Sequence, residues 1–531
     1  MSENQLYKLQ PIIDIAQICA LKGVREVVLS PGSRCAPLVI AFVRHSYIRT
    51  YTVSDERSAA FVALGMAQAL KQPVVLVCTS GTAALNYAPA IAEAYYQNVP
   101  LLVFTADRPP EWIDQADGQT IRQNNIYANH VKASYTLPHD YTHTDAVWYI
   151  QRIVNQAINL ANTYPAAPVH INIPLREPFY PKENEQIDSF GKVKIIQEIT
   201  AVLTPSEVLT EMIQTVWKRK HRKIIVVGQS EPQTELSKVL ATLQVPVITD
   251  VIANTFGGEN FITQQDVFLS SPNTDELVPD LLITFGGSLI SKNLKLFLRK
   301  NNIPHWHIQP FGEVADTFQS LEKIVRLTPL SFFKLLENIT SSEKQIQFNN
   351  LWLEKDKKTI QIKKQYFNQF TKQAHQKVEA TSESISEFEA VYCVLNSVLP
   401  DMVVHLANSM SVRYANFCGI EATKNCQVFA NRGTSGIDGS SSTAVGHSII
   451  KRDKLHLLIT GDVAFFYDRN AFWNKYVGEN IRILLLNNGG GGIFGIIEGS
   501  SDLPELKEYF ETEQPLTAQK TAEDFGFDYL T

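Results

Sequence analysis

The sequence predicts an α/β protein of three doubly wound parallel-sheet domains. Short β-branched runs recur along the chain, a Gly/Ser/Asp/Arg loop follows each, and a helical pattern leads to the next run. Strands that are apolar throughout and alternate with helices belong to parallel sheets covered on both faces. The 531 residues also have room for about three domains of ordinary size.

In the first block, Val27-Val28-Leu29 leads into Ser30-Pro31-Gly32-Ser33-Arg34, and Val74 to Cys78 leads into Thr79-Ser80-Gly81-Thr82. Leu101 to Phe104 leads into Thr105-Ala106-Asp107-Arg108, and Val169 to Ile173 reads as a further strand. A polar break, Pro181-Lys182-Glu183-Asn184-Glu185, precedes a second alternation: Ile224 to Val227, Val247 to Thr249, Leu281 to Phe285 and Trp306 to Ile308. Residues 341–385, rich in Lys, Gln, Glu and Ser, read as a solvated helix and linker rather than part of a core. Strands of the third block are Met402 to Leu406, Gln427 to Phe429, His456 to Thr460 and Arg482 to Leu486. The expected domains are therefore 1–185, 200–340 and 386–531, with 341–385 as a helical linker.

Composition narrows the function. Hydrophobic residues are 44% and charged residues 19%, which excludes a disordered or low-complexity chain. Lys+Arg number 48 against 54 Asp+Glu, and a net charge of −6 argues against nucleic acid as a partner. Six cysteines without a Cys-x-x-Cys pair read as reduced, mostly buried thiols. The first residues lack a basic and then apolar leader, and no apolar run approaches the roughly 18 residues that span a bilayer. The expectation is a cytoplasmic protein without a membrane span.

Parallel sheets bind ligands beyond the carboxyl ends of their strands. Those ends are polar and Gly-rich in the outer blocks and blander in the middle one. Gly461-Asp462 closes one apolar strand, and Asn487-Asn488-Gly489-Gly490-Gly491-Gly492 closes the next, with a helical stretch over Tyr467 to Tyr476 between them. One strand–helix–strand unit would bring a carboxylate and an amide oxygen to the same sheet edge. Such hard oxygen ligands suit Mg²⁺ held with a diphosphate, and glycines let the backbone approach phosphates. Taken singly, the Asp also fits a helix N-cap and the glycine run a flexible loop. Their pairing at this spacing favours the cation.

This spacing resembles the cofactor motif of the thiamine diphosphate-dependent decarboxylase and carboligase superfamily, whose order of pyrimidine-binding, central and diphosphate-binding domains fits the three blocks. The resemblance implies that Asp462, Asn488 and the Gly490 carbonyl ligate Mg²⁺, with Mn²⁺ as the alternative. It implies that Glu56, in Ser54-Asp55-Glu56-Arg57, is the catalytic glutamate, acting on the cofactor of a partner subunit in a homodimer or homotetramer. As a residue alone, Glu56 better fits an exposed helix-start glutamate stabilised by the helix dipole. Ser80, Ser409, Gly436, Ile437, Asp438, Gly461, Ile493 and Phe494 complete the implied cofactor contacts, Ile437 as the prop beneath the cofactor.

Finer motifs resemble the carboligases of menaquinone biosynthesis within that superfamily. They include Ser30 to Arg34, Asp55 to Arg57, Thr105 to Glu111, Gln119-Thr120-Ile121-Arg122-Gln123, Ala407-Asn408-Ser409 with Arg413, and Asn431 to Gly439. The resemblance implies decarboxylation of 2-oxoglutarate and 1,4-addition of the resulting succinyl carbanion to isochorismate. Both substrates are dicarboxylates, so the pocket requires cations. Arg34, Arg108, Lys292, Arg413 and Arg432 would supply them, guanidinium groups binding carboxylates through two nitrogens. Ser33, Gln119, Asn408 and Ser409 would be polar contacts, and Ile493, Phe494 and Ile497 an apolar wall. Departures from the pattern are Asn293, where some relatives carry a base, Gly118, where some carry an amide, and an end at Thr531 short of an expected strand and helix. An acetolactate synthase-like enzyme and an inactive homologue are the alternatives.

Overall fold

A computed structural model describes the chain apart from residues 1–4, 7–8, 142, 178, 183–184, 187–191, 200–203, 377–384 and 498. The first residues of the chain, part of the polar break near 181–185 and the end of the expected linker thus lie outside the described residues. The chain divides into two compact units, one of residues 1–200 with 431–531 and one of residues 201–430.

The N-terminal sheet of the first unit has six parallel strands: β1 (Glu26–Ser30), β2 (Arg49–Thr52), β3 (Val74–Cys78), β4 (Leu101–Asp107), β5 (Ser134–Thr136) and β6 (Val169–Pro174), in the order β2-β1-β3-β4-β6-β5. Side chains alternate across the sheet. Val27, Leu29, Val75 and Val77 pack under the helices Gln10–Leu21, Ala36–Arg44 and Thr144–Asn162. Val28, Val74 and Leu76 pack under Glu56–Leu70 and Ala88–Tyr96. Both faces are covered, which is why these strands read as unbroken apolar runs.

The second unit holds a parallel sheet of β7 (Lys223–Val227), β8 (Val247–Thr249), β9 (Phe261–Ile262), β10 (Leu281–Phe285), β11 (His305–Ile308) and β12 (Leu321–Val325), in the order β9-β8-β7-β10-β11-β12. A 34-residue helix, Glu343–Gln376, follows. It corrects the reading of this stretch as merely solvated. Trp352 is 0% exposed and Phe367 1%, and Phe348 and Trp352 join the core beneath β7 and β10. The helix is amphipathic, and its long polar face dominates its composition. A parallel pair, β13 (Val403–Leu406) with β14 (Gln427–Ala430), also belongs to this unit.

The C-terminal part of the first unit contributes β15 (His456–Gly461) and β16 (Ile481–Leu486), paired in parallel from His456↔Ile481 to Gly461↔Leu486. The helix Ser440–Ile450 crosses Glu56–Leu70 at very close range. A Cβ on Gly65 would lie 2.1 Å from the Thr443 carbonyl oxygen, and one on Gly446 2.1 Å from that of Val62. Ala444, Val445, Leu458 and Phe465 therefore share one core with the first sheet. Five cysteines are buried, and only Cys393 is exposed. No described helix is long and apolar enough to cross a membrane.

Candidate active site

The carboxyl ends of β1, β2 and β3 lie side by side and carry the polar loops. Glu56 opens its helix at a half-buried position, directly after Asp55, whose carboxylate caps the helix by accepting from the Ser58 N–H at 3.1 Å. Both neighbours of Glu56 are clamped to the segment that follows β15. Asn470 donates to Asp55 at 2.7 Å, Arg57 donates to the Tyr467 carbonyl at 2.6 Å, and its guanidinium lies 4.5 Å over the Tyr467 ring.

Glu56 faces a cavity of about 420 Å³ lined by Thr79, Ser80, Gly81, Thr82, Ala83, Asn86, Asp117, Gln119, Thr120 and Ile121. Thr79 Oγ1 and Ser80 Oγ are buried with no hydrogen-bond partner among the described residues. Buried hydroxyls without partners are costly, and they mark where a polar ligand completes the structure. The residues therefore fit an aminopyrimidine ring placed against a carboxylate.

Beneath this loop runs a polar network that the sequence did not single out. Buried Gln123 accepts from the Gly81 N–H at 2.8 Å and donates to the Ala106 carbonyl and to Asn172 at 3.0 Å each. Asn172 donates in turn to Asp107 at 2.7 Å. Burial raises the Asp107 carboxyl above its ordinary value, against that hydrogen bond. Gln123 stands in a quoted motif, but only the fold shows that it holds the Ser80-Gly81 turn.

Of the expected substrate contacts, Ser33 and Gln119 are exposed. Arg34 is 5% exposed and donates to the Leu175 carbonyl at 3.0 Å, with Phe179 4.6 Å beneath its guanidinium. Burial, and then the nearby Arg108, lower its pKa. Arg108 pairs with Asp117 at 3.1 Å and donates to the Gly118 carbonyl at 2.9 Å, a contact that requires no particular side chain at position 118.

A second cavity, about 660 Å³, is lined by Asn488, Gly489, Gly490, Gly492, Glu511, Glu513, Gln514 and Pro515. The register of β15 with β16 sets Asp462 and Asn487-Asn488 just past one sheet edge, as expected from their spacing. The expected helical stretch is corrected. The helix is Asp462–Tyr467, and Arg469–Phe472 is a separate tight turn. Asp462 itself starts the helix, so its carboxylate sits at the positive end of the dipole. Its Oδ2 accepts from Gln514 at 2.7 Å, and Asn488 Oδ1 accepts from the Gly490 N–H at 3.2 Å. Asn488 lines this cavity, and Asp462, buried behind it, is joined to it through Gln514; a carboxylate and an amide oxygen so placed fit a hard divalent cation. Ile493 and Phe494 are half-buried beside the glycine run, and Ile497 is exposed.

The loop carrying Arg432, Gly436, Ile437 and Asp438 is fixed by Glu93. That buried carboxylate accepts from the Gly433 N–H at 2.7 Å and the Thr434 N–H at 2.6 Å. Burial raises the Asp438 carboxyl. In the second unit, Asn408 is buried, Ser409 adopts φ 69°, and Arg413 donates to the Ser409 carbonyl. Lys292 is the exposed first residue of the helix Lys292–Asn301, and Asn293 is bound to Asp266, which accepts from its N–H at 2.6 Å.

Comparison with known proteins places the chain in a family. Residues 14–127 match the N-terminal TPP-binding domain of thiamine pyrophosphate enzymes, and residues 185–388 match the middle domain of thiamine pyrophosphate enzymes. The fold and these matches make the chain a thiamine diphosphate enzyme. A relative from Cytophaga hutchinsonii is 48% identical over 98% of this chain and 91% of its own length. Relatives from Flavobacterium psychrophilum and Desulfotalea psychrophila are 39% and 37% identical over 97% and 98% of this chain, and over 90% and 93% of their own lengths. All three are named 2-succinyl-5-enolpyruvyl-6-hydroxy-3-cyclohexene-1-carboxylate synthase. The chain belongs to that synthase family.

Proposed function

We propose that this protein catalyses the reaction for which its relatives are named. It decarboxylates 2-oxoglutarate and adds the succinyl unit to isochorismate, giving 2-succinyl-5-enolpyruvyl-6-hydroxy-3-cyclohexene-1-carboxylate and CO₂ in menaquinone biosynthesis. The cofactor is thiamine diphosphate with Mg²⁺ or Mn²⁺, and the reaction belongs to the cytoplasm. One observation supports the reading: the chain has two separate cavities, one with Glu56 and unpartnered hydroxyls, the other with Asn488, a glycine run and Gln514, which binds Asp462. Each cavity is lined by one domain, which supports an active homodimer or homotetramer in which two protomers complete each site. The domains serving it are 1–185, 200–340 and 386–531, joined by the helix within 341–385.

Thiamine diphosphate, when bound, supplies an electron sink for the decarboxylation. The chain does the rest. Glu56 exchanges a proton with the aminopyrimidine ring, while Thr79 and Ser80 orient that ring with their hydroxyls. Asp462, Asn488 and the Gly490 carbonyl hold the divalent ion. Gly461 lets the backbone approach the phosphates, and Gly436, Ile437, Asp438 and Ser409 support the cofactor from the remaining loops. Arg34, Arg108, Lys292, Arg413 and Arg432 bind the substrate carboxylates, assisted by Ser33, Gln119 and Asn408. Ile493, Phe494 and Ile497 keep water from the reacting carbons.

The test is incubation with 2-oxoglutarate, isochorismate, Mg²⁺ and thiamine diphosphate, followed by mass analysis. The reading predicts the named product with one CO₂ released per turnover. CO₂ release from pyruvate in preference to 2-oxoglutarate would replace it with an acetolactate synthase-like activity.

A further inference from the structure

Asp250 stands at the carboxyl end of β8 in the second unit, 2% exposed. Five donors converge on its carboxylate. Oδ2 accepts from the N–H groups of Ile290 at 2.5 Å and Ser291 at 3.1 Å. Oδ1 accepts from the Ser291 hydroxyl, from Gln265 Nε2 at 2.9 Å and from Asn416 Nδ2 at 3.3 Å. Asn416 also accepts from the Val251 N–H at 2.8 Å, so it is bound to the Asp250 segment through both ends of its amide.

Two of these partners lead to cations. Ser291 is the residue before Lys292 and occupies the N-cap position of the helix Lys292–Asn301, yet its hydroxyl makes no capping bond and is spent on Asp250. Asn416 lies one turn beyond Arg413 on the helix Met410–Cys418. One buried carboxylate thus ties the start of the Lys292 helix to the last turn of the Arg413 helix. Asp266, next to Gln265, is bound to Asn293 and acts electrostatically on Arg413.

We propose that Asp250 is a positioning residue that sets the spacing between Lys292 and Arg413, and through it the length of dicarboxylate the enzyme accepts. This rests on the reading above, in which both cations bind substrate carboxylates. Charge-assisted hydrogen bonds from several donors hold such a junction rigid. An amide at position 250 replaces one acceptor oxygen by a donor, so whichever oxygen is lost leaves at least two buried donors unsatisfied. The two helices then lose their common anchor while the cofactor residues of the first unit are untouched.

The experiment compares wild type, Asp250→Asn and Asn416→Leu with 2-oxoglutarate and its one-carbon-longer homologue 2-oxoadipate. The proposal predicts a KM for 2-oxoglutarate raised about tenfold in both variants with kcat nearly unchanged, the pattern of lost uniform binding. Half-maximal activation by Mg²⁺, whose proposed ligands all lie in the first unit, stays at the wild-type concentration, and the preference for 2-oxoglutarate falls about tenfold. Because Asn416 acts through Asp250, the double variant is no worse than Asp250→Asn alone. A KM and chain-length preference equal to wild type would overturn the proposal, and so would a parallel fall of kcat and Mg²⁺ activation, the mark of a merely structural role. Titration of glutarate into the cofactor-free proteins reads the same spacing without turnover, so a wild type inactive on 2-oxoglutarate refutes the functional reading while this arm still decides the inference. There the variants bind about tenfold more weakly if the proposal holds, and equally well if it fails.

Discussion

Asp468 shows how a single buried carboxyl supports the architecture around Glu56. It accepts from the Ser442 N–H and hydroxyl, each at 2.7 Å, at the start of the helix that crosses the Glu56 helix. Burial pushes its pKa up to about 7, against those hydrogen bonds. The folded protein therefore binds a proton that the unfolded chain releases near pH 4, and Asp468 costs stability as pH rises from about 4 through 7. We predict that the melting temperature of Asp468→Asn, relative to wild type, improves between pH 5 and pH 8. A difference that is flat with pH would contradict this. Glu56→Gln should leave the melting temperature unchanged and abolish product formation, and turnover at the wild-type rate would count against its role. At this scale Glu56, Asp462 and Asn488 came into view through their motifs and the resemblance these carry, since taken singly Glu56 fits a helix-start glutamate and Asp462 an N-cap. The sequence hid Glu93, Gln123 and Asp250, because each acts through backbone groups far away in the chain, and no local pattern marks a carboxylate or amide that serves a distant N–H.

The crossing of Glu56–Leu70 with Ser440–Ile450 depends on two glycines. Alanine ordinarily favours an exposed helix interior over glycine by about 1 kcal/mol. Here the new methyl would strike a backbone carbonyl, and overpacking of about 1–3 kcal/mol prevails. Gly446→Ala should lower the melting temperature, and a rise would show that the helices can separate without loss. Trp352→Ala in the long helix should cost about 3–5 kcal/mol, measured by denaturant unfolding, since the indole is fully enclosed. A change within a few tenths would return that helix to the solvated linker its composition resembles. Strands β1, β3, β4, β7 and β10 were legible because burial on both faces leaves an apolar run. The 343–376 helix was misread because an average over its length mixes a charged face with a buried stripe. The helix after Gly461 was set too late, because its opening Asp462 reads as a loop residue.

Across the whole molecule, the first and last parts of the chain share a core, yet the Glu56 cavity and the Asn488 cavity have no lining residue in common. A ligand that binds only the folded state raises its stability by mass action. Thiamine diphosphate with Mg²⁺ should therefore raise the melting temperature of wild type and have little effect on Asp462→Ala. An equal rise in both would place the divalent ion elsewhere. The parallel-sheet architecture was legible from sequence as three blocks, whereas the grouping of residues 431–531 with 1–200 was not, since it arises from helix packing between distant segments.

The central claim, that each working site joins Glu56 of one protomer to Asp462 and Asn488 of another, is tested most directly by complementation. Glu56→Gln and Asp462→Ala are each purified inactive, then mixed, unfolded and refolded together in equal amounts. The account predicts recovery of about a quarter of wild-type activity, because random pairing makes half the dimers mixed and each mixed dimer holds one intact site. Verified mixed dimers that remain inactive would contradict it.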